Sequence, residues 1–324
     1  MTEPTIYYVD ASLLKESACM LKFDYIHNKG YITADSAFQM DYGTAGHKFI
    51  HSYMATKDIQ AARKVAFLFF MSKCLKVPAN DFRTLDHLNS TTQAYTIQYP
   101  IETEPLKPDL IKGEPALELP FQQPLEMFFD PTTYEELYTA LARANMKIVL
   151  AGTVDLKGTY FGDSCISDHK FTAMWREEQY IDGFRLNIQT MFYSWVWRKL
   201  GLSNIWLPLL MNVIFLKNPT MRSKDPVTKR LVPNTKWTGA NFKRSDLITF
   251  TDEMMEKFES WLLTKLKEII HCHTVNSFPQ NFTACETVFG PCKFRQFCIS
   301  KPHVHSVIAN NFLSRKYEPW TWQA

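Results

Sequence analysis

The chain has 324 residues, 46% of them apolar and 21% charged, with a formal net charge of +3 and a pI near 8.3, so it can bury a large core and is mildly basic without pointing to a polyanionic partner. The longest apolar run, IWLPLLMNVIFL (205–216), is too short to span a bilayer and holds Pro208 and Asn212, and MTEPTIYYVD at the start lacks both parts of a secretory leader. The expectation is a cytoplasmic protein with no membrane partner, whose seven cysteines are buried thiols or metal ligands rather than a disulfide framework.

After a short extended start, residues 12–27 read as a helix capped by Asp10 or Ser12. A second helix is expected over 43–71, where His47 and His51, four apart, share a face. Seven prolines within 100–131 break any long helix and leave a loop-rich connection with short strands, one of them ALELPF (116–121). A short amphipathic helix follows over 133–145, then a strand over 147–156, a turn at 160–163 and a strand over 164–172. A helix over 177–200, a buried strand over 208–217 and a long helix over 246–271 complete the regular structure. This order predicts a mixed α/β fold, a small mixed sheet flanked by helices. Residues 1–324 read as one domain, with 100–131 and 217–244 as inserts and a cysteine-bearing loop at 285–298.

The segment GTVDLKGTYFGDSCISDHKFT (152–172) puts Asp155 and Asp168 on neighbouring strands, with Lys170 two residues after the second. Strand alternation turns Asp168 and Lys170 to one face and His169 to the other. Two readings stay open. One is an Asp–Lys pair on a solvated face. The other is a pocket where Mg2+ or Mn2+ offsets the repulsion of two carboxylates and activates water, while the ammonium stabilises developing negative charge. A D-x-K tripeptide alone is too short to decide.

Together with residues elsewhere, the pattern resembles the PD-(D/E)XK nuclease superfamily, in its RecB-like branch. GTVD followed by DHK is similar to the catalytic core, GTAGHKFIH (43–51) to the G-x-x-x-H motif, NIQTMFYSW (187–195) to the Q-x-x-x-Y motif, and ALELPF to the upstream glutamate segment. The resemblance implies a restriction-endonuclease-like core in which Asp155 and Asp168 hold the metal, with the His169 carbonyl and His47 completing its shell. It implies Glu118 as a further metal-site or scaffold residue and Lys170 as the group that positions water or stabilises the transition state. Gln189 and Tyr193 would orient substrate or Lys170. Read from the residues alone, a lone helical histidine such as His47 is more often a surface or packed residue than a ligand, Glu118 can be a solvated carboxylate, and Gln189 and Tyr193 can cap an apolar helix face.

Cys285, Cys292 and Cys298 form C-x6-C-x5-C, and Cys19 stands in the first helix. Four thiolates suit Zn2+ or a [4Fe–4S] cluster, and Cys272 in HCH (271–273) can replace Cys19 in such a set. Cys74 and Cys165 read as buried thiols. The triplet and SLLKESACMLKFDY (12–25) resemble the iron–sulfur members of the same branch, the AddB-type nuclease domains and CRISPR-associated adaptation exonucleases. In those, the first two cysteines of the triplet are commonly closer together. The resemblance implies a [4Fe–4S] cluster tying the two chain ends.

Residues 217–244 carry Lys217, Arg222, Lys224, Lys229, Arg230, Lys236, Lys243 and Arg244 against one Asp, interleaved with Trp237 and Phe242. Such a stretch can track a single DNA strand or form a solvated loop. GTAGHKF lacks the spacing of a phosphate-binding loop, and no deaminase signature assembles. By resemblance the function is metal-dependent hydrolysis of DNA, as an exonuclease on single strands or ends, in recombination, repair or viral DNA processing beside a helicase or recombination partner. The alternative is a non-cleaving DNA-binding or structural subunit with a zinc or iron–sulfur staple.

Overall fold

The computed structural model describes residues 3–74, 77–79, 81–218, 222–224, 231–233, 239–287 and 290–314, and of residues 35, 36, 222–224, 231–233, 287 and 290 the backbone alone. Its centre is a mixed sheet of seven strands: β1 (Thr5–Val9), β2 (Leu106–Pro108), β3 (Leu117–Pro124), β4 (Met146–Tyr160), β5 (Asp163–Thr172), β6 (Leu209–Leu216) and β7 (Ala240–Arg244). Along one edge of β4, β1 pairs in parallel with Met146–Leu150 and β5 pairs antiparallel with Leu156–Tyr160. β3 and β2 pair antiparallel with the other edge. β6 then lies parallel to β5, and β7 antiparallel to β6.

Helices cover both faces. On one side lie α1 (Ala34–Thr56), α2 (Ile59–Lys73) and α3 (Leu85–Gln98), and on the other α4 (Glu135–Arg143), α5 (Ile188–Lys199) and α6 (Asp252–Val275). This sandwich explains why β6 reads as an unbroken run. Its Met211, Val213 and Phe215 enter the core beneath α5 and α6, while Leu210, Ile214 and Leu216 enter the core beneath α1–α3. No helix among the described residues is long and apolar enough to cross a membrane.

Several helices expected as continuous are broken by local capping chemistry. The helix over 43–71 is α1 and α2. Lys57 takes a left-handed φ of 60° after α1, and the Asp58 carboxylate caps α2 by accepting from the N–H groups of Gln60 and Ala61. The helix over 177–200 stops at Asp182 and restarts at Ile188, where Asn187 accepts from the Gln189 N–H. The helix over 12–27 pauses after Glu16, with Cys19 in extended conformation before Met20. The helix over 246–271 runs instead from Asp252 to Val275. The two chain ends meet in a third apolar cluster of Tyr25, Phe294 and Phe297, and Leu313–Ser314 pairs with Tyr31–Ile32.

β7 arises within the basic stretch and gives it a buried anchor. Arg244 Nη1 donates to Glu104 Oε1 at 2.6 Å and Nε to Asn212 Oδ1 at 2.5 Å, and Asn212 Nδ2 donates to Ser167 Oγ at 2.5 Å. The guanidinium stacks 3.9 Å from the Tyr99 ring centre. Arg244, expected as a DNA contact, is tied in the structure to Glu104 and Asn212. Phe242 likewise packs edge-on against Tyr95 and Tyr99. Removing one partner of such a pair strands a buried charge, so Glu104→Ala should lower the unfolding free energy by about 3–5 kcal/mol in urea titration. A loss below about 1 kcal/mol would show that the pair is solvated and incidental.

Candidate metal centre

Residues two apart in a strand normally share a face. In β3, however, Leu117 enters the core under α1–α3 while Leu119 packs against the opposite core, and in β4 Leu156 and Val154 divide the same way. The register pairs Leu117 with Leu156 and Leu119 with Val154, so the two switch residues, Glu118 and Asp155, stand opposite each other. Glu118 has a φ of 49°, a left-handed conformation that costs a residue with a side chain about 1–2 kcal/mol. The turn-over of both strands brings two carboxylates to one point. On the other edge of β4, the ladder to β5 begins at Leu156. There Asp155 Oδ2 accepts the His169 main-chain N–H at 2.7 Å.

α1 supplies the third group. A side chain at position 46 would lie 2.2 Å from the Phe171 ring, so Gly46 is what lets α1 seat on β5. Gly43, the glycine of the expected motif, has open space where a side chain would go. His47 Nδ1 stands 3.4 Å from Asp155 Oδ2 and 3.8 Å from Glu118 Oε1. One ligand atom from each of these three residues lies within 4.8 Å of the others. Burial, then the Lys170 charge, lowers the His47 pKa to about 4, leaving the imidazole neutral with a lone pair to offer. Burial raises Asp155 to about 6 against the opposing pull of Lys170 and the His169 N–H. One nitrogen and two carboxylates, short of positive charge, suit a small divalent cation that keeps water in its remaining positions.

Asp168 belongs to a second arrangement beside the first. The Lys170 Nζ lies 3.0 and 2.8 Å from its two oxygens, and Gln189 Nε2 donates to Oδ1 at 3.0 Å and to the Tyr193 hydroxyl at 3.3 Å. Burial raises Asp168 to about 6, and Lys170 is the main opposing influence. Burial favours a neutral amine at Lys170, yet Asp168 and Asp155 hold its pKa above the ordinary value. His169 is described in contact with the site through its N–H. Its buried imidazole has Nδ1 3.9 Å from Asp155 Oδ2, and no hydrogen-bond partner is described for Nε2. Gly152 of GTVD leaves room for Phe121 and Tyr193, which a side chain there would meet at 2.9 and 3.3 Å. Tyr180 was not foreseen. It stands near Lys170, Asp168 and the Thr172 side chain, and a lone tyrosine in a six-residue helix has no sequence signature.

The cysteines from the two ends approach one another through Asn281. Its N–H donates to Cys19 Sγ at 3.4 Å and its carbonyl accepts from Cys285 Sγ at 3.7 Å. The Cys292 N–H bonds the Cys285 carbonyl at 2.8 Å. Burial, followed by the neighbouring Cys285, Cys292 and Cys19, raises the Cys298 pKa. Among the described residues no three of the sulfurs lie within 4.8 Å of one another. Cys272 is buried in the core on α6, and Cys74 and Cys165 are buried thiols.

Of the basic stretch, Lys217 pairs with Glu177 at 2.5 Å, and Lys243 with Glu177 at 3.3 Å and with Glu178. These lysines fasten the helix Glu177–Asp182 to the sheet. Arg222 and Lys224 lie on a short strand paired with 231–233, while Lys229, Arg230, Lys236 and Trp237 lie outside the described residues. No protein-family model, curated protein or solved structure matches the chain.

Asp155 and Asp168 bind protons more tightly in the native state than at their ordinary 3.8, so without metal their contribution to stability falls as pH rises through about 6. A cation at the site reverses this. Mn2+ should therefore raise Tm clearly at about pH 7.5 and far less at about pH 5, where protons compete. Glu118→Gly suits the left-handed backbone and should keep the metal-free Tm while losing most of the Mn2+ increment. An undiminished increment would place the ion elsewhere.

Proposed function

We propose that the protein is a metal-dependent deoxyribonuclease with a restriction-endonuclease-like core. The observation that carries this reading is the meeting, around one β-hairpin, of the His47–Glu118–Asp155 ligand group with the Asp168–Lys170–Gln189 chain. Mg2+ or Mn2+ would be held by His47, Glu118 and Asp155, and when bound would supply Lewis acidity towards a phosphodiester and a lower pKa for the attacking water. Lys170, kept protonated by Asp168 and Asp155, faces the site as a fixed positive charge for the oxygens on which negative charge develops. Asp168 orients that ammonium, and Gln189 with Tyr193 fixes Asp168 in turn. Together these residues offer preorganised electrostatics for phosphodiester hydrolysis.

DNA with a free end is the substrate the resemblance implies, in recombination, repair or viral genome processing, with strand separation left to a separate helicase. Cys19, Cys285, Cys292 and Cys298 would hold a [4Fe–4S] cluster stapling the chain ends. Four thiolates also suit a tetrahedral Zn2+, the competing occupant of the same residues.

Asp168→Ala should reduce Mg2+- or Mn2+-dependent cleavage of DNA by about 100-fold or more while leaving DNA binding intact or tighter. Wild type and variant behaving alike would instead indicate a non-cleaving subunit. Anaerobically purified protein should absorb broadly near 400 nm and contain about four irons per chain. A colourless protein with one zinc would overturn the cluster and leave the hairpin chemistry standing.

A further inference from the structure

The strap joining β5 to α5, residues 173–187, carries side chains that the chemistry above does not use. Both of its ends belong to the site, since β5 bears Asp168 and Lys170 and α5 bears Gln189. Its middle is tied down. Glu177 is held by Lys217, Lys243 and Asn241, and Tyr180 packs its ring against Phe184 and Phe215 at centroid distances of 5.2 and 5.9 Å. On this anchored segment Trp175 is 71% exposed, and the Arg176 guanidinium lies 4.6 Å from its ring centre. Arg185 and Leu186 are exposed further along the same strap.

An indole left in water on a fastened segment forgoes a large burial gain, which is regained when something flat covers it. Trp175 follows Lys170 by five residues, so its backbone lies within about 18 Å of that of Lys170, a reach of a few nucleotides. We propose that Trp175 and Arg176 form a stacking platform for an unpaired base of single-stranded DNA entering the site, an inference that rests on the nuclease reading. The ring takes the face of a base, and Arg176 supplies charge complementary to an adjoining phosphate. A duplex does not offer the same fit, because its base faces are already stacked on one another. The platform therefore selects single strands or frayed ends.

The test is fluorescence anisotropy of the full-length protein with a labelled 20-nucleotide oligo-dT and with a 20-base-pair duplex, both without divalent metal so that nothing is cleaved. Trp175→Ala should weaken oligo-dT binding about 5- to 100-fold, Trp175→Phe should restore most of it, and duplex binding should change less than about twofold. The single-strand loss should persist at raised salt, as stacking does and phosphate pairing does not. Unchanged oligo-dT binding, or an equal loss on duplex, overturns the platform. Because the readout involves no cleavage, it can fail while Asp168→Ala still confirms the nuclease, and it can succeed on a protein that cuts nothing.

Discussion

The left-handed backbone of Glu118 is the constraint on which the site depends. Regular strands would leave Glu118 and Asp155 pointing to fixed faces of β3 and β4, one core or the other. The turn-over at this register position breaks the alternation in both strands at once and sets the two carboxylates beside His47. Backbone strain of this kind persists only where the surroundings enforce it. Here the enforcement is apolar: Leu117 and Leu156 are held in one core, and Val154 and Leu119 in or against the other.

Electrostatics follow from that packing. Asp155 and Asp168 sit where burial opposes their ionisation, and a single ammonium, Lys170, is shared between them. The site is thus built with more negative charge than its protein partners balance. That is a poor arrangement for stability and a good one for receiving a cation, because the ion recovers desolvation cost the fold has already met. The Lys170 ammonium is hydrogen-bonded to Asp168, which Gln189 also contacts.

How much of this was legible follows from what the one-dimensional pattern encodes. Asp168 and Lys170 on one strand face, and Gln189 and Tyr193 one helical turn apart, follow from periodicity, and the structure places them together. The mixed sheet flanked by helices was readable from element order. Glu118 could be suspected, but its left-handed φ could not, since nothing in ALELPF signals a reversal. The break at Lys57-Asp58 is made by a left-handed residue and a side-chain cap, local features that the apolar period on either side of it does not reveal. α3, with its many polar residues, offered little periodicity to read, and β7 lay hidden in a stretch dominated by charge. The basic residues there illustrate the limit of composition: Lys217, Lys243 and Arg244 are all committed to carboxylates that lie far away in sequence.

The most direct measurement is the position of Mn2+ by anomalous diffraction from crystals soaked near neutral pH. The account predicts one strong peak about 2 Å from a nitrogen of His47 and from carboxylate oxygens of Glu118 and Asp155. A peak bound elsewhere, or an empty site with the Lys170 ammonium drawn between Glu118 and Asp155, would contradict it.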